Sequence, residues 1–282
     1  MSKVAIVTDS TAYIPADLVK KYDLQVAPQV LIWGNETFRD GVDIQSNEFF
    51  TRLRNAKQLP TTSQVNPKTF HEIFKTLLEQ DCKILAILLS AQLSKTIDSA
   101  QQAIEMFPSA PIEIVDSQTT AMALGFTVLA AARAVESGAS LEEAKAVAEK
   151  ARENVGVVFA VDTLEFLHRG GRIGGGARFL GTALQLKPIL EVTGGRVEAI
   201  ERVRTRSKSL SRVVELISER VAGRKPIHLA CLHANAADDA RALLKEATSL
   251  LNPIESVFTE VSPVVANHAG PGTVGLAFMA GM

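Results

Sequence analysis

The chain has 282 residues, which favours two domains because single domains typically have about 100–200 residues. Its 30 basic and 31 acidic side chains give a formal net charge of -1, so no overall charge would hold it on nucleic acid or on an anionic membrane. The two cysteines, Cys82 and Cys231, lie far apart in apolar runs, which favours reduced thiols over a disulfide framework or a metal site.

Two stretches bear on the location of the protein. Residues 1–10 lack the charged, apolar and small-residue sections of a signal peptide. The longest apolar stretch, Ala121 to Ala132, is shorter than the roughly 18 residues that span a membrane, and it predicts a buried helix. We therefore expect a cytoplasmic protein without stable membrane insertion.

Short β-branched runs alternate with helical patterns along the chain. Pro67–Leu78 predicts a helix capped by Asn66, the segment from Ser140 to Glu143 has a capping-box pattern, and Leu210–Val221 has one apolar face. This alternation predicts an α/β fold with a parallel sheet in at least the first half. The predicted strands are Val4–Thr8, Val30–Trp33, Ile84–Leu89, Ile112–Val115, Val155–Val161 and Ile227–Leu232.

The same pattern suggests how the chain divides. A new strand begins at Val155, and a glycine-rich loop and further helix-strand units follow it. We expect one lobe over residues 1–150 and a second over residues 151–282. A strand exchanged between the two lobes would move this boundary.

Polar segments follow or precede several predicted elements. Asp9 comes at the end of the first strand, where ligands collect in open parallel sheets, but a cap or turn is the favoured role for Asp9 and Ser10. Thr61–Gln64 precedes a predicted helix N-terminus, which could bind an anion or serve only as a cap and turn. The loop Ser90–Thr96 repeats the strand-to-helix arrangement, so it and Thr61–Gln64 could converge on one ligand head group.

The sequence does not decide the role of two basic segments. Gly170–Gly176, with Arg169 and Arg172, resembles an anion-binding loop in its glycine content, but it lacks the sequence of a P-loop or a dinucleotide fingerprint. It is also suited to be a connector with solvated arginines. The alternating residues Arg202, Arg204 and Arg206 would share one face of a strand, which is typical of a solvated surface.

The histidines do not predict a metal site or a hydrolase. His228 and His233 would point to opposite faces of one strand, so they predict no zinc site. His268 precedes a sharp turn and has either a structural or a binding role. No nucleophile elbow is present, so no catalytic residue is predicted.

Taken together, the motifs resemble those of the DegV family, and they follow the family's order over nearly the whole chain, from about Val4 to Phe278. The matching segments are Thr8-Asp9-Ser10, Thr62-Ser63-Gln64, Leu93-Ser94 with Thr96 and Ser99-Ala100, Thr163 to Leu167 with Gly170 to Ile173, Lys187 to Leu190, and His268 to Gly272.

The resemblance implies a two-lobed fold, with a Rossmann-like N-terminal lobe, an α/β C-terminal lobe and a ligand in the cleft between them. It also implies that the ligand is a long-chain fatty acid, bound with its carboxylate inward and without any further cofactor. DegV-like proteins of the fatty acid kinase system act as carriers that present this carboxylate to a separate ATP-dependent kinase subunit, which makes an acyl phosphate.

The resemblance also implies roles for individual residues. Thr62 and Ser94 would bind the carboxylate, with His268 as a further polar partner. Arg172 and Arg204 match arginines linked to the phosphorylation step or to the kinase contact.

The chain departs from the family pattern at two positions beside the head-group residues. The family usually has Gly where Lys95 stands and Thr where Ala269 stands. Lys95 would either pair with the carboxylate or point to solvent. Two other functions stay open on sequence alone: an enzyme acting on a phosphorylated or acyl substrate, and a regulatory binding module.

Overall fold

The computed structural model describes residues 3–173 and 186–282. The strands are β1 (Val4–Asp9), β2 (Gln25–Ala27), β3 (Val30–Trp33), β4 (Glu36–Arg39), β5 (Thr61–Ser63), β6 (Lys83–Leu88), β7 (Ile112–Asp116), β8 (Val155–Ala160), β9 (Lys187–Thr193), β10 (Arg196–Val203), β11 (Ile227–His233), β12 (Glu255–Glu260) and β13 (Val274–Ala280). The helices are α1 (Ala16–Lys21), α2 (Ser46–Arg54), α3 (Pro67–Glu79), α4 (Thr96–Ile104), α5 (Ala121–Glu136), α6 (Leu141–Arg152), α7 (Glu165–Arg169), α8 (Arg206–Val221), α9 (Ala237–Leu251) and α10 (Pro263–Ala269).

A parallel sheet in the order β2-β1-β6-β7 forms the first half of the fold. Its central strands β1 and β6 are almost entirely buried because helices cover both faces, as their continuous apolar runs predict. Helices α3 and α4 pack on one face. Helices α5 and α6 pack on the other face. The predicted α/β class and the parallel sheet are confirmed.

The predicted helix signals are also confirmed. The Asn66 side chain accepts a hydrogen bond from the Lys68 amide at the start of α3. Ser140 and Glu143 form both hydrogen bonds of a capping box at the start of α6. The apolar stretch that begins at Ala121 forms the buried part of α5.

A larger sheet in the order β10-β9-β8-β13-β11-β12 forms the second half, and only its β11-β12 pair is parallel. Alternate residues of β8 face opposite sides of this sheet. Val158 and Ala160 pack in the cluster that includes residues of α8 and α9. Val157 and Phe159 belong to a central cluster that also contains residues of α5, so α5 lies against both large sheets.

The third sheet was not predicted. Strands β4, β3 and β5 form a small antiparallel sheet, and β3 pairs with both of the others. The strand prediction for Val30–Trp33 is therefore correct, but this strand does not join the parallel sheet. Of the two alternatives for Thr61–Gln64, the cap and turn is wrong for Thr61–Ser63, which pair with β3.

The four strands of the parallel sheet precede residue 150, and all six strands of the larger sheet follow it. The division into lobes 1–150 and 151–282 stays a prediction. Across the described residues, no helix has the length and apolar character needed to cross a membrane.

Candidate functional site

A largely apolar cavity lies between the carboxyl-end loops of the parallel sheet and the inner face of the larger sheet. It encloses about 870 Å³ of empty space, including its open mouth. Aliphatic and aromatic side chains from both halves of the chain form most of its wall: Leu89, Leu93, Val157, Phe159, Leu167, Val192, Val197, Leu232, Val261, Val264 and Val265. Such a wall suits an alkyl chain and offers it few polar contacts.

Three of the polar side chains in the wall come from distant segments of the sequence. Thr62 lies on β5, Ser94 on the loop before α4, and His268 on α10. The Thr62 hydroxyl lies 2.7 Å from Nε2 of His268. Two of the predicted head-group residues are therefore in direct contact, although 206 positions separate them in the chain.

The environment of His268 favours a neutral imidazole. Burial, together with the positive charge of Arg172, lowers the pKa of His268 to about 4. Its Nδ1 atom is buried and has no hydrogen-bond partner among the described residues. If Nε2 carries the proton, it donates to the Thr62 oxygen and leaves the Thr62 hydroxyl hydrogen available for a ligand.

A second set of hydrogen bonds supports Ser94. The Ser94 hydroxyl lies 2.9 Å from the Thr96 hydroxyl, and Nε2 of Gln29 donates to the same Thr96 oxygen at 2.9 Å. Gln29 and Thr96 are both buried, and Gln29 also lines the cavity. Sequence reasoning missed Gln29, since it follows Pro28 between two strands and matches no binding motif. Thr96 belongs to the motif around Ser94, but it was not assigned a role.

Arg172 also lines the cavity. Its guanidinium donates to the carbonyl of Leu93 at 3.1 Å and to the carbonyl of Gly170 at 2.6 Å, so it lies close to the Ser94 loop. Burial lowers the pKa of this guanidinium below its usual value. The structure thus brings Arg172 to the same site as Thr62, Ser94 and His268.

Helices α7 and α10 pack closely beside this arginine. Gly170 follows α7, and a Cβ atom built on it would lie 2.1 Å from Nδ1 of His268. Only glycine permits this approach without a shift of one of the helices. Of the predicted glycine-rich loop, Gly174–Gly176 lie outside the described residues.

Arg204 does not lie with the other predicted site residues. It is exposed, it follows the end of β10, and it is absent from the described residues that line the cavity. The prediction that Arg202, Arg204 and Arg206 share a strand face is wrong, because β10 ends at Val203 and Arg206 begins α8. Arg206 forms an ion pair with Asp239 at 2.8 Å.

The structure also shows the surroundings of Lys95 and Asp9. Lys95 points to solvent and forms an ion pair with Asp98 at 3.3 Å, so its side chain does not turn toward the cavity. Asp9 is fully buried and acts as a cap: it accepts hydrogen bonds from the amides of Thr11 and Leu89, which ties β1 to the end of β6.

The described part of the chain contains no group of three or more His, Cys, Asp or Glu side chains arranged to hold a metal ion. His228 instead contacts Glu255 at 2.7 Å, and His233 lies 3.8 Å from Glu260. The polar side-chain groups around the cavity are hydroxyls, two carboxamides, an imidazole and a guanidinium. These groups can bind a carboxylate through hydrogen bonds and charge.

Comparison with known proteins places this arrangement in a family. The model described as "Uncharacterised protein, DegV family" matches residues 3–281. The chain belongs to the DegV family. A DegV domain-containing protein from Streptomyces coelicolor is 38% identical over 275 residues, covering 97% of each chain.

Solved structures of DegV proteins show the same fold. A fatty-acid-binding DegV family protein from Thermus thermophilus is 37% identical, with a TM-score of 0.93 and coverage of 99% of each chain. DegV from Bacillus subtilis, also a fatty acid binding protein, is 30% identical, with a TM-score of 0.90 over 99% of this chain and 100% of that chain. The DegV resemblance and the fold that it implied are confirmed.

Proposed function

We propose that this protein is a carrier for a long-chain fatty acid. The alkyl chain would occupy the apolar cavity, and the carboxylate would bind at Thr62, Ser94 and His268. The single observation that supports this most directly is the cavity itself, whose largely apolar wall also carries the hydroxyls of Thr62 and Ser94 and the imidazole of His268. Fatty acid binding by the DegV proteins from T. thermophilus and B. subtilis supports the same ligand class.

The tail and the head group of the fatty acid would contribute differently to the free energy of binding. Burying about 14 methylenes at roughly 0.8 kcal/mol each provides on the order of 11 kcal/mol before the costs of association. A carboxylate buried without partners would cost several kcal/mol, so the hydroxyl donors are needed to offset its desolvation. The tail would therefore supply most of the affinity, and the head group would set the orientation.

Two hydrogen-bond chains would point donors at the carboxylate. In one, Nε2 of His268 donates to Thr62, whose hydroxyl donates to the ligand. In the other, Gln29 donates to Thr96, and the Thr96 hydroxyl contacts that of Ser94. When the Thr96 hydrogen points to Ser94 and not to Oε1 of Gln29, 3.2 Å away, the Ser94 hydroxyl donates to the ligand. Each chain is supported by the distances between its members, which are 2.7 Å in the first and 2.9 Å for both contacts in the second.

We further propose that the carrier presents this carboxylate to an ATP-dependent kinase subunit, which forms the acyl phosphate. In this proposal Arg172 acts near the carboxylate during phosphorylation, and the exposed Arg204 contacts the kinase. The protein would act in the cytoplasm, without a cofactor of its own and without catalysing the transfer itself.

Binding of palmitate to delipidated protein tests this function. We expect saturable binding of one palmitate per chain, measured by calorimetry, and no conversion of palmitate when ATP is added without a kinase. Failure to bind palmitate would contradict the carrier proposal. Turnover of palmitate by the isolated chain would instead favour an enzyme.

A further inference from the structure

A second pocket meets the lipid cavity at its polar end. It encloses about 800 Å³, including space open to solvent, and its wall shares Thr62, Arg172 and His268 with the wall of the apolar cavity. A carboxylate bound at Thr62 and His268 would therefore lie where the two cavities meet, while Ser94, the third residue assigned to it, lines only the apolar cavity.

The second pocket carries an excess of positive charge. Lys57, Arg169 and Arg172 line it, and no carboxylate side chain lines it among the described residues. Arg169 forms an ion pair with Glu165 at 2.9 Å, but both side chains are more than half exposed, which weakens this pairing. Among the described residues, the hydrogen bonds of Arg172 go to the backbone carbonyls of Leu93 and Gly170, which carry no full negative charge. Such a pocket favours an anion.

The remaining donors suit an anion with several oxygens. Thr61 offers a hydroxyl at the exposed end of β5, and the buried Asn267 carries a carboxamide. Arginine guanidinium groups match phosphate oxygens because they present several N–H donors in one plane. The apolar cavity has no comparable set of charges, since Arg172 is its only cationic lining residue in the described chain.

We propose that this second pocket, lined by Lys57, Arg169 and Arg172, receives the phosphoryl group that is transferred to the bound lipid. This inference rests on the proposed carrier function, and it adds Lys57 and Arg169 to the site. The lipid tail and the phosphoryl group would lie on opposite sides of the Thr62–His268 contact.

The phosphoryl transfer needs no general base, because the attacking carboxylate is already ionised. One oxygen of the ionised carboxylate forms a bond to the terminal phosphorus of a nucleoside triphosphate held by the kinase. The bond from that phosphorus to the bridging oxygen breaks, and its electron pair leaves with the nucleoside diphosphate. The new phosphoryl group of the acyl phosphate then lies among the three cations, which stabilise its added negative charge.

A stable acyl phosphonate with the palmitoyl chain serves as a probe of the product. The double variant Lys57→Gln/Arg169→Gln should bind palmitate within about twofold of the unsubstituted protein, because neither side chain lines the lipid cavity. Its affinity for the acyl phosphonate should fall about tenfold or more, since charge-assisted contacts are lost. The matched control is Lys75→Gln/Arg39→Gln, which removes one lysine and one arginine from ion pairs elsewhere on the surface.

Ionic strength provides a second readout. Raising the salt concentration shortens the Debye length from about 30 Å at 0.01 M to about 3 Å at 1 M. As the salt concentration rises, the affinity of the unsubstituted protein should therefore fall more for the phosphonate than for palmitate. In the Lys57/Arg169 variant, the two affinities should fall by similar factors.

The inference is overturned if the Lys57/Arg169 variant binds the phosphonate as tightly as the unsubstituted protein while both bind palmitate. That result would leave the carrier function standing. If the unsubstituted protein binds neither palmitate nor the phosphonate, the carrier function itself fails.

Discussion

At the scale of single residues, Thr62 and Ser94 are the two hydroxyl donors assigned to the carboxylate. Replacing either residue by Ala should weaken palmitate binding by about 1–3 kcal/mol, because a buried charged acceptor loses a donor. Calorimetric titration of each variant measures the change. Thr37→Ala is a suitable control, since Thr37 is an exposed residue of β4 in the same small sheet as Thr62. Unchanged affinity in both variants would refute the head-group assignment.

Gln29 is assigned a positioning role, because it reaches the ligand through Thr96 and Ser94. Gln29→Leu keeps a buried side chain of similar length but removes the donor to Thr96. We expect palmitate affinity to fall by about 0.5–1.5 kcal/mol.

A double-mutant cycle with Ser94→Ala separates positioning from a general packing defect. If Gln29 acts through Ser94, the two losses should not add, since the second substitution removes an interaction that is already broken. Fully additive losses would contradict the hydrogen-bond chain from Gln29 to Ser94.

Some of these residues could be predicted from the sequence and others could not. Ser94 and Thr62 stand in short polar motifs between apolar elements, so their hydroxyls were visible candidates. The Thr62–His268 contact was not predictable from spacing, because it joins segments 206 positions apart. Gln29 could not be predicted because it matches no binding motif, and its role depends on where β6 and α4 place Thr96.

At the scale of elements, Glu255 joins β12 to β11 and α5. It lies 2.7 Å from both Nδ1 of His228 and Nη2 of Arg133. The hydrogen bond with His228 and then the one with Arg133 lower the pKa of Glu255 from an ordinary value of 4.5 to about 2. Because the folded-state pKa is lowered, this group stabilises the fold above about pH 4.5 and loses that effect as the pH falls toward about 2.

Glu255→Gln should therefore reduce the free energy of unfolding at about pH 7 by about 1–2 kcal/mol. The difference from the unsubstituted protein should shrink as the pH is lowered through the interval below about 4.5. Urea unfolding followed by circular dichroism measures both values, and Glu246→Gln, at an exposed position of α9, serves as the control. An equal difference at all pH values would contradict this role of the carboxylate.

The elements differ in how well the sequence predicted them. Continuous apolar runs such as Ile84–Leu89 predicted the buried strands, because burial on both faces leaves no polar positions. The small sheet was missed because β5 has three polar residues and becomes a strand only by pairing with β3. The end of β10 was also missed, although Thr205, which caps α8, was a usable signal.

At the scale of the whole molecule, the fold places the predicted kinase contact away from the lipid cavity. Arg204→Ala should leave palmitate affinity within about twofold, because Arg204 is exposed and a surface substitution rarely changes stability by more than about 0.5 kcal/mol. The same variant should slow acyl phosphate formation by the kinase. ADP release followed in a coupled assay gives the rate, and Arg54→Ala, on α2, is the control. Loss of palmitate binding would place Arg204 in the head-group site instead.

Whether a fatty acid is the resident ligand is the central question for the whole molecule, and native mass spectrometry of freshly purified protein tests it most directly. Denaturing extraction should then release and identify the bound molecule. We expect one long-chain fatty acid per chain, lost or reduced in the Thr62→Ala/Ser94→Ala double variant. Protein that carries no acyl chain, and that takes up none when palmitate is added, would contradict the carrier function.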